Sequence, residues 1–160
     1  MKIFILLLSF LLAQQMLGQN IDFKKIQYNG LNFYSTKNQI IQKLGRAKKI
    51  YNPNYECGFL SDEEQNDKYL TLDYGKIKFT GNSKEKYLLE MIDFKDETVV
   101  VFYGKIKLNY QSTDAQLSKI FGMKIKANGS RLIPSNNGDD GVRIELKKGK
   151  LTKIEYWSPC

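Results

Sequence analysis

One phrase is written twice in this chain. LNFYSTKNQIIQKLG begins at Leu31, and LNYQSTDAQLSKIFG begins at Leu108, 77 positions later. Six of the fifteen aligned pairs are identical: Leu31/Leu108, Asn32/Asn109, Ser35/Ser112, Thr36/Thr113, Gln39/Gln116 and Gly45/Gly122. The shared letters have a local meaning. Thr36-x-x-Gln39 and Thr113-x-x-Gln116 are capping-box patterns, in which the threonine hydroxyl accepts from the N–H three residues on and the glutamine reaches back. Apolar residues follow at helical spacing: Ile40, Ile41 and Leu44 in one copy, Leu117, Ile120 and Phe121 in the other. Gly45 and Gly122 stand where a left-handed residue ends a helix. Each copy therefore encodes a helix of about nine residues, too short to stand alone in water, which must lie against an apolar surface.

The flanking segments read as strands. After the first helix come 69–74, 76–80 and 87–94, broken at Gly75 and Gly81-Asn82-Ser83. After the second come 142–146 and 151–157, with Lys147-Lys148-Gly149-Lys150 as the turn. Val142, Ile144 and Leu146 alternate with Arg143 and Glu145, as in a strand with one wet face. Residues 51–57 and 124–133 are weaker candidates for the first strand of each copy. Residues 98–108, rich in β-branched and aromatic side chains, read as one long strand entering the second copy. Residues 26–33, with the turn signal Asn29-Gly30, are its counterpart. The expectation is an α+β fold of two tandem units, each a short helix packed on an antiparallel β-meander. The units run from about residue 22 to 97 and from 98 to 160, and share one globular domain from residue 19 on.

The first residues constrain location. Lys2 is the only charge before Asp22, and 3–13 is apolar except for Ser9. With small Gly18 as the exit, 1–18 reads as a cleaved secretory signal peptide. The run falls short of the roughly 20 apolar residues that a permanent span needs, so no transmembrane segment is expected after cleavage. No cysteine follows the run to take a lipid. The expected location is periplasmic or secreted, in a bacterium. The two cysteines, Cys57 and Cys160, then suit a disulfide across the chain. Free thiols, or an intermolecular bond through Cys160, are the alternatives.

The formal net charge is +8. The lysines are scattered, and many alternate with apolar residues, as in GKIKF and GKIKL. That pattern suits the solvated face of a sheet, and with export it argues against nucleic acid as a partner.

A capped short helix ending in Leu44-Gly45 or Phe121-Gly122, followed by a meander, resembles the repeat of β-lactamase inhibitor protein. It also resembles the small lipoprotein of the outer-membrane protein assembly machine. The letters that carry the likeness are Ser35-Thr36, Gln39-Ile40 and Leu44-Gly45, with Ser112-Thr113, Gln116-Leu117 and Phe121-Gly122. The resemblance implies an exported α+β protein that binds other proteins through an exposed sheet face and loops. Both families carry a longer or second helix per unit that is not legible here, and the lipoprotein has an acylated cysteine that this chain lacks. No contact residue carries over. The Lys-, Asn- and Ile-rich composition also resembles secreted proteins of Bacteroidetes-type bacteria.

The chemistry is bounded by what is missing. With no histidine and two cysteines, Ser-His-Asp systems, Cys-His systems and histidine zinc sites are excluded. Phosphate-cradling glycine motifs are also absent, and no cofactor, metal or catalytic residue is expected. The acidic run Asp62-Glu63-Glu64 with Asp67 lacks the spacing of a calcium loop and reads as solvated loop. Asn136-Asn137-Gly138-Asp139-Asp140-Gly141 reads as a turn. Asn128-Gly129-Ser130 matches a glycosylation acceptor, but such tripeptides are common. Tyr51, Tyr55, Tyr74 and Tyr156-Trp157 are either a recognition patch or aromatic filling for a small core, and the core is favoured. The function expected is therefore a non-enzymatic binding protein for a protein or cell-envelope component. The alternative is an envelope hydrolase built on two carboxylates. The sequence does not name the ligand-binding residues.

Overall fold

The computed structural model describes residues 20–82, 84–136 and 138–160; the expected signal peptide, 1–18, lies outside the described residues. Among the described residues the fold is α+β, mostly antiparallel sheet with three short helices. A 3-10 turn (Phe23–Lys25) leads into β1 (Ile26–Tyr28), β2 (Leu31–Asn32), β3 (Tyr34–Ser35) and α1 (Lys37–Leu44). Then come β4 (Lys49–Tyr51), α2 (Asp62–Gln65), β5 (Leu70–Asp73), β6 (Ile77–Gly81) and β7 (Tyr87–Asp93). The chain continues through β8 (Val101–Tyr103), β9 (Ile106–Leu108), α3 (Asp114–Phe121), β10 (Gly129–Pro134), β11 (Gly141–Lys147) and β12 (Lys150–Trp157). Among the described residues no helix is long and apolar enough to cross a membrane.

Both helices start at the repeated threonines, but only the first completes the expected capping box. The Thr36 hydroxyl accepts from Gln39 N–H at 3.3 Å, and the Gln39 side chain accepts from Thr36 N–H at 2.9 Å, completing a capping box. Thr113 accepts from Gln116 N–H at 3.2 Å. The serine before each threonine ties back to the repeated asparagine: Ser35 Oγ donates to Asn32 O, and Ser112 Oγ accepts from Asn109 N–H. Ile40 on α1 and Leu117 on α3 are fully buried in one core with Leu72, Phe79, Leu89, Ile92, Ile144 and Leu151. Burial of such a side chain is worth about 1.5–3 kcal/mol, which is how helices this short persist.

The strands form two sheets. The smaller runs β2-β1-β8-β9, and the larger runs β10-β11-β12-β7-β6-β5-β4 with β3 on β7. In each, residues before 98 meet residues after 98 at an antiparallel pair, β1 with β8 and β12 with β7. Each seam has three paired positions, centred on Gln27↔Phe102 and Ile154↔Ile92.

Several expectations are corrected. The long strand 98–108 is a hairpin, β8 and β9, turning at Gly104-Lys105, so it matches the Asn29-Gly30 hairpin in form. Pairing of Tyr103 with Ile106 across the turn outweighed the uniform β-propensity of the stretch. The strand placed at 51–57 ends at Tyr51, and the residues beyond leave the sheet as a loop. The strand placed at 124–133 begins only at Gly129. The first meander therefore has four strands against three in the second. The acidic run is helical rather than loop, although Glu63 and Glu64 remain exposed. Asp62, Glu63 and Glu64 form the first turn of α2, where their charge suits the helix N-terminus, behind the fully buried cap Ser61.

Candidate functional site

The loop that departs after Tyr51 returns over the larger sheet. The Cys57–Cys160 disulfide, with Cα atoms 5.0 Å apart, ties it to the end of the chain. Phe59 N–H donates to Ser158 Oγ at 3.1 Å, and Gly58 N–H to Glu64 Oε2 at 2.8 Å. Asp62 accepts from Asn52 Nδ2 at 2.6 Å and from Tyr69 N–H at 2.9 Å. Gly58 has φ +87°, and a Cβ there would lie 2.5 Å from Ser158 Oγ. Only glycine lets the two segments approach so closely.

Beneath this loop lies a buried carboxylate. β6 and β7 slip register at Lys78/Phe79: Leu89 pairs with Phe79 and Met91 with Lys78, so Glu90 is the extra residue of a bulge. Glu90 is 7% exposed. Its two oxygens accept from the Tyr55 and Thr80 hydroxyls, and Thr71 Oγ1 lies 2.6 Å from Thr80 Oγ1. A carboxylate only accepts, so the chain of donation runs Thr71 to Thr80 to Glu90, with Tyr55 closing it from the loop. Burial first, and then the hydrogen bond to Glu90, push the Tyr55 hydroxyl well above its ordinary pKa.

Beside Tyr55 the loop, β11, β12 and the chain end enclose a cleft of about 500 Å³. Its walls are Tyr55, Leu60, the disulfide and Trp157, and its charged groups are Glu56, Arg143 and Glu155. Arg143 and Glu155 face each other across β11 and β12, yet Glu155 pairs with Lys153 at 3.1 Å. Among the described residues Arg143 makes no ion pair, so its guanidinium is free in the cleft. The cleft opens onto a row that crosses the whole sheet: Leu132, Arg143, Glu155, Met91, Lys78, Asp73 and Lys49 oppose one another strand by strand. Lys78 departs from the solvated face expected of GKIKF: its ammonium is 3.0 Å from Tyr51 Oη and 3.7 Å from Asp73. The Tyr51 contact is the largest cause of its raised pKa.

The aromatic set divides between the two readings made of it. Tyr156 is core: it is buried, its ring lies 6.2 Å from Phe33, and its hydroxyl donates to Asp140 at 3.0 Å. That bond and one from Ser135 Oγ at 2.5 Å give Asp140 a structural task beyond its turn. Tyr51 and Tyr55 are exposed, and Trp157 is half-buried at the cleft. Among the described residues no three His, Cys, Asp or Glu side chains gather as metal ligands would. Sequence reasoning missed Arg143 and Glu90 as site residues. The available signal was the cysteine pair, since a Cys57–Cys160 bond brings residues 55 and 157 together.

No family model matches the chain, and no curated protein or solved structure matches it significantly.

Proposed function

We propose that this is an exported, non-enzymatic binding protein that recognises a protein or cell-envelope component with the cleft at Tyr55, Arg143 and Trp157 and the open sheet face beside it. The observation that carries this reading is that the Arg143 guanidinium, which makes no ion pair among the described residues, lines one cleft with Tyr55 and Trp157. Tyr, Trp and Arg dominate binding hot spots, and about 500 Å³ is within the range of ligand clefts. The disulfide supports export, because such bonds persist in oxidising compartments. The chemistry suits a partner that inserts a flat or apolar group ending in an anionic or hydrogen-bond-accepting function. Cross-linking capture from envelope extract tests it. The intact protein should retain a specific partner that Arg143→Ala and Trp157→Ala lose; equal capture by all three would refute the assignment.

The second reading, a carboxylate hydrolase, draws on Glu155 in the cleft and Glu90 below it. Both Glu90 oxygens are already occupied by hydroxyl donors, which favours binding over catalysis. Turnover of glycoside or ester substrates that is abolished by Glu155→Gln would reverse that preference.

We also propose that residues 22–97 and 98–160 are two versions of one unit, of the kind seen in β-lactamase inhibitor protein and the small assembly lipoprotein. Support comes from the matched caps, the matched hairpins, and sheets whose strand order mirrors itself about the β1·β8 and β12·β7 pairs. Homologues in which the two capping phrases converge would strengthen this; homologues lacking the phrase in one half would count against it.

A further inference from the structure

We infer a second site, for a compact tetrahedral oxyanion, at the opposite end of the sheet from β4. Between Asp114 and Asp139 the chain has no acidic residue, while Lys119, Lys124, Lys126 and Arg131 fall in that stretch. The β11–β12 turn docks on it and adds lysines. Lys148 N–H donates to Asn128 Oδ1 at 2.7 Å, and Gly149 N–H donates to Ala127 O at 2.7 Å. Between α3 and β10 lies a groove of about 150 Å³. Lys124, Lys126 and Arg131 line it together with Asn128 and Ser130, and no carboxylate does. The Tyr55 cleft and three further clefts of the described residues each have at least one carboxylate in their lining.

The cations are uncompensated. Among the described residues, Lys124, Lys126, Arg131, Lys147 and Lys148 form no ion pair. Two acids flank the stretch without lining the groove: Glu145, opposite Ser130, is 3.8 Å from Lys153, and Asp114 sits beside Gly149 of the turn. The frame is fixed, because buried Ile125 forms the floor and its N–H donates to Ser118 Oγ at 2.9 Å. β10 is an edge strand, so alternate backbone N–H groups along 129–131 lack a ladder partner and add donors. Two ammonium groups, a guanidinium fork and free amides around a space this small make a lining rich in cationic donors. They fit a doubly charged phosphate or sulfate, free or as the ester end of a larger ligand.

The test is an amide chemical-shift titration of the intact chain at fixed ionic strength with inorganic phosphate, inorganic sulfate and a phosphorylated monosaccharide. Saturable shifts confined to 124–131 and 147–150 are expected. Arg131→Gln and Lys126→Gln should each weaken binding by about tenfold or more, the worth of one charge-assisted hydrogen bond. Lys24→Gln with Lys25→Gln, which removes charge elsewhere, should leave it unchanged. Tighter binding of the sugar phosphate than of phosphate identifies an ester ligand; equal affinity identifies the free anion. Shifts that do not saturate, or a loss with the Lys24/Lys25 variant equal to that with Arg131→Gln, would overturn the site in favour of a diffuse field. Dispersed spectra of the variants confirm that they fold.

Discussion

Cutting the Cys57–Cys160 bond should cost more than any other single change to the cleft. The bond joins positions 103 residues apart. On the chain-entropy model a closure of that length restricts the unfolded chain by about 4.7 kcal/mol, and native bonds deliver about 2–5. An unfolding entropy of about 2.1 cal/mol/K per residue over about 140 residues gives about 0.3 kcal/mol/K at the midpoint. Replacing both cysteines by alanine should therefore lower Tm by about 7–16 °C. The denaturant m-value should rise, because the open chain exposes more surface when it unfolds. Calorimetry and urea titration of the wild type, the double variant and the wild type with reductant give these values. Reductant should act on the wild type only. The cleft supplies a local readout: without its tether the Tyr55 loop leaves Trp157 less covered, so iodide should quench its fluorescence more. A double variant within about 2 °C of wild type, with unchanged m, would refute the reasoning, since the chain-entropy model gives a closure this long several times that effect.

Thr36→Ala and Thr113→Ala should each destabilise by about 1 kcal/mol in urea titration, as lost N-caps do. Leu117→Ala, which opens a void in the fully buried core, should cost about 2–5 kcal/mol by the same assay. Tyr55→Phe removes a donor from buried Glu90 and should cost about 1–3 kcal/mol, a loss that Glu90→Met should reduce in a double-mutant cycle. Burial, then the Asp140 charge, push the Tyr34 hydroxyl up to about 12. The folded state thus binds this proton more tightly than the unfolded chain, whose tyrosine titrates near about 10. Its contribution is intact below about pH 10 and is lost as pH rises toward about 12, so the urea midpoint should fall over that window, less steeply in Tyr34→Phe.

What was legible in the sequence was local. Asn29-Gly30 turns a hairpin, Thr36 and Thr113 start helices, and the alternation of Val142, Ile144 and Leu146 faces the core. Each depends on neighbours within a few positions. What was missed depends on partners far away. Residues 98–108 carry uniform β-propensity, and only the pairing of β8 with both β1 and β9 fixes where they fold back. Asp62 looked solvated because its partners, Asn52 Nδ2 and Tyr69 N–H, become visible only once the loop is closed. Glu90 has the look of one more polar residue on a half-wet strand, and its burial follows from a one-residue slip against β6. Among the described residues Arg143 has no ion pair and Lys153 takes Glu155, an outcome that spacing along the chain does not encode.

The two seams are short: three residue pairs join β1 to β8, and three join β12 to β7. A front half from one molecule offered to the back half of another meets the same registers, so an exchanged dimer sacrifices none of those pairs. The bond between Cys57 in one half and Cys160 in the other decides the matter by order of events. Oxidation within one chain locks the monomer, whereas oxidation after exchange staples two chains together. Refolding at high concentration under reducing conditions, followed by oxidation, is thus the route by which this protein would become a covalent pair.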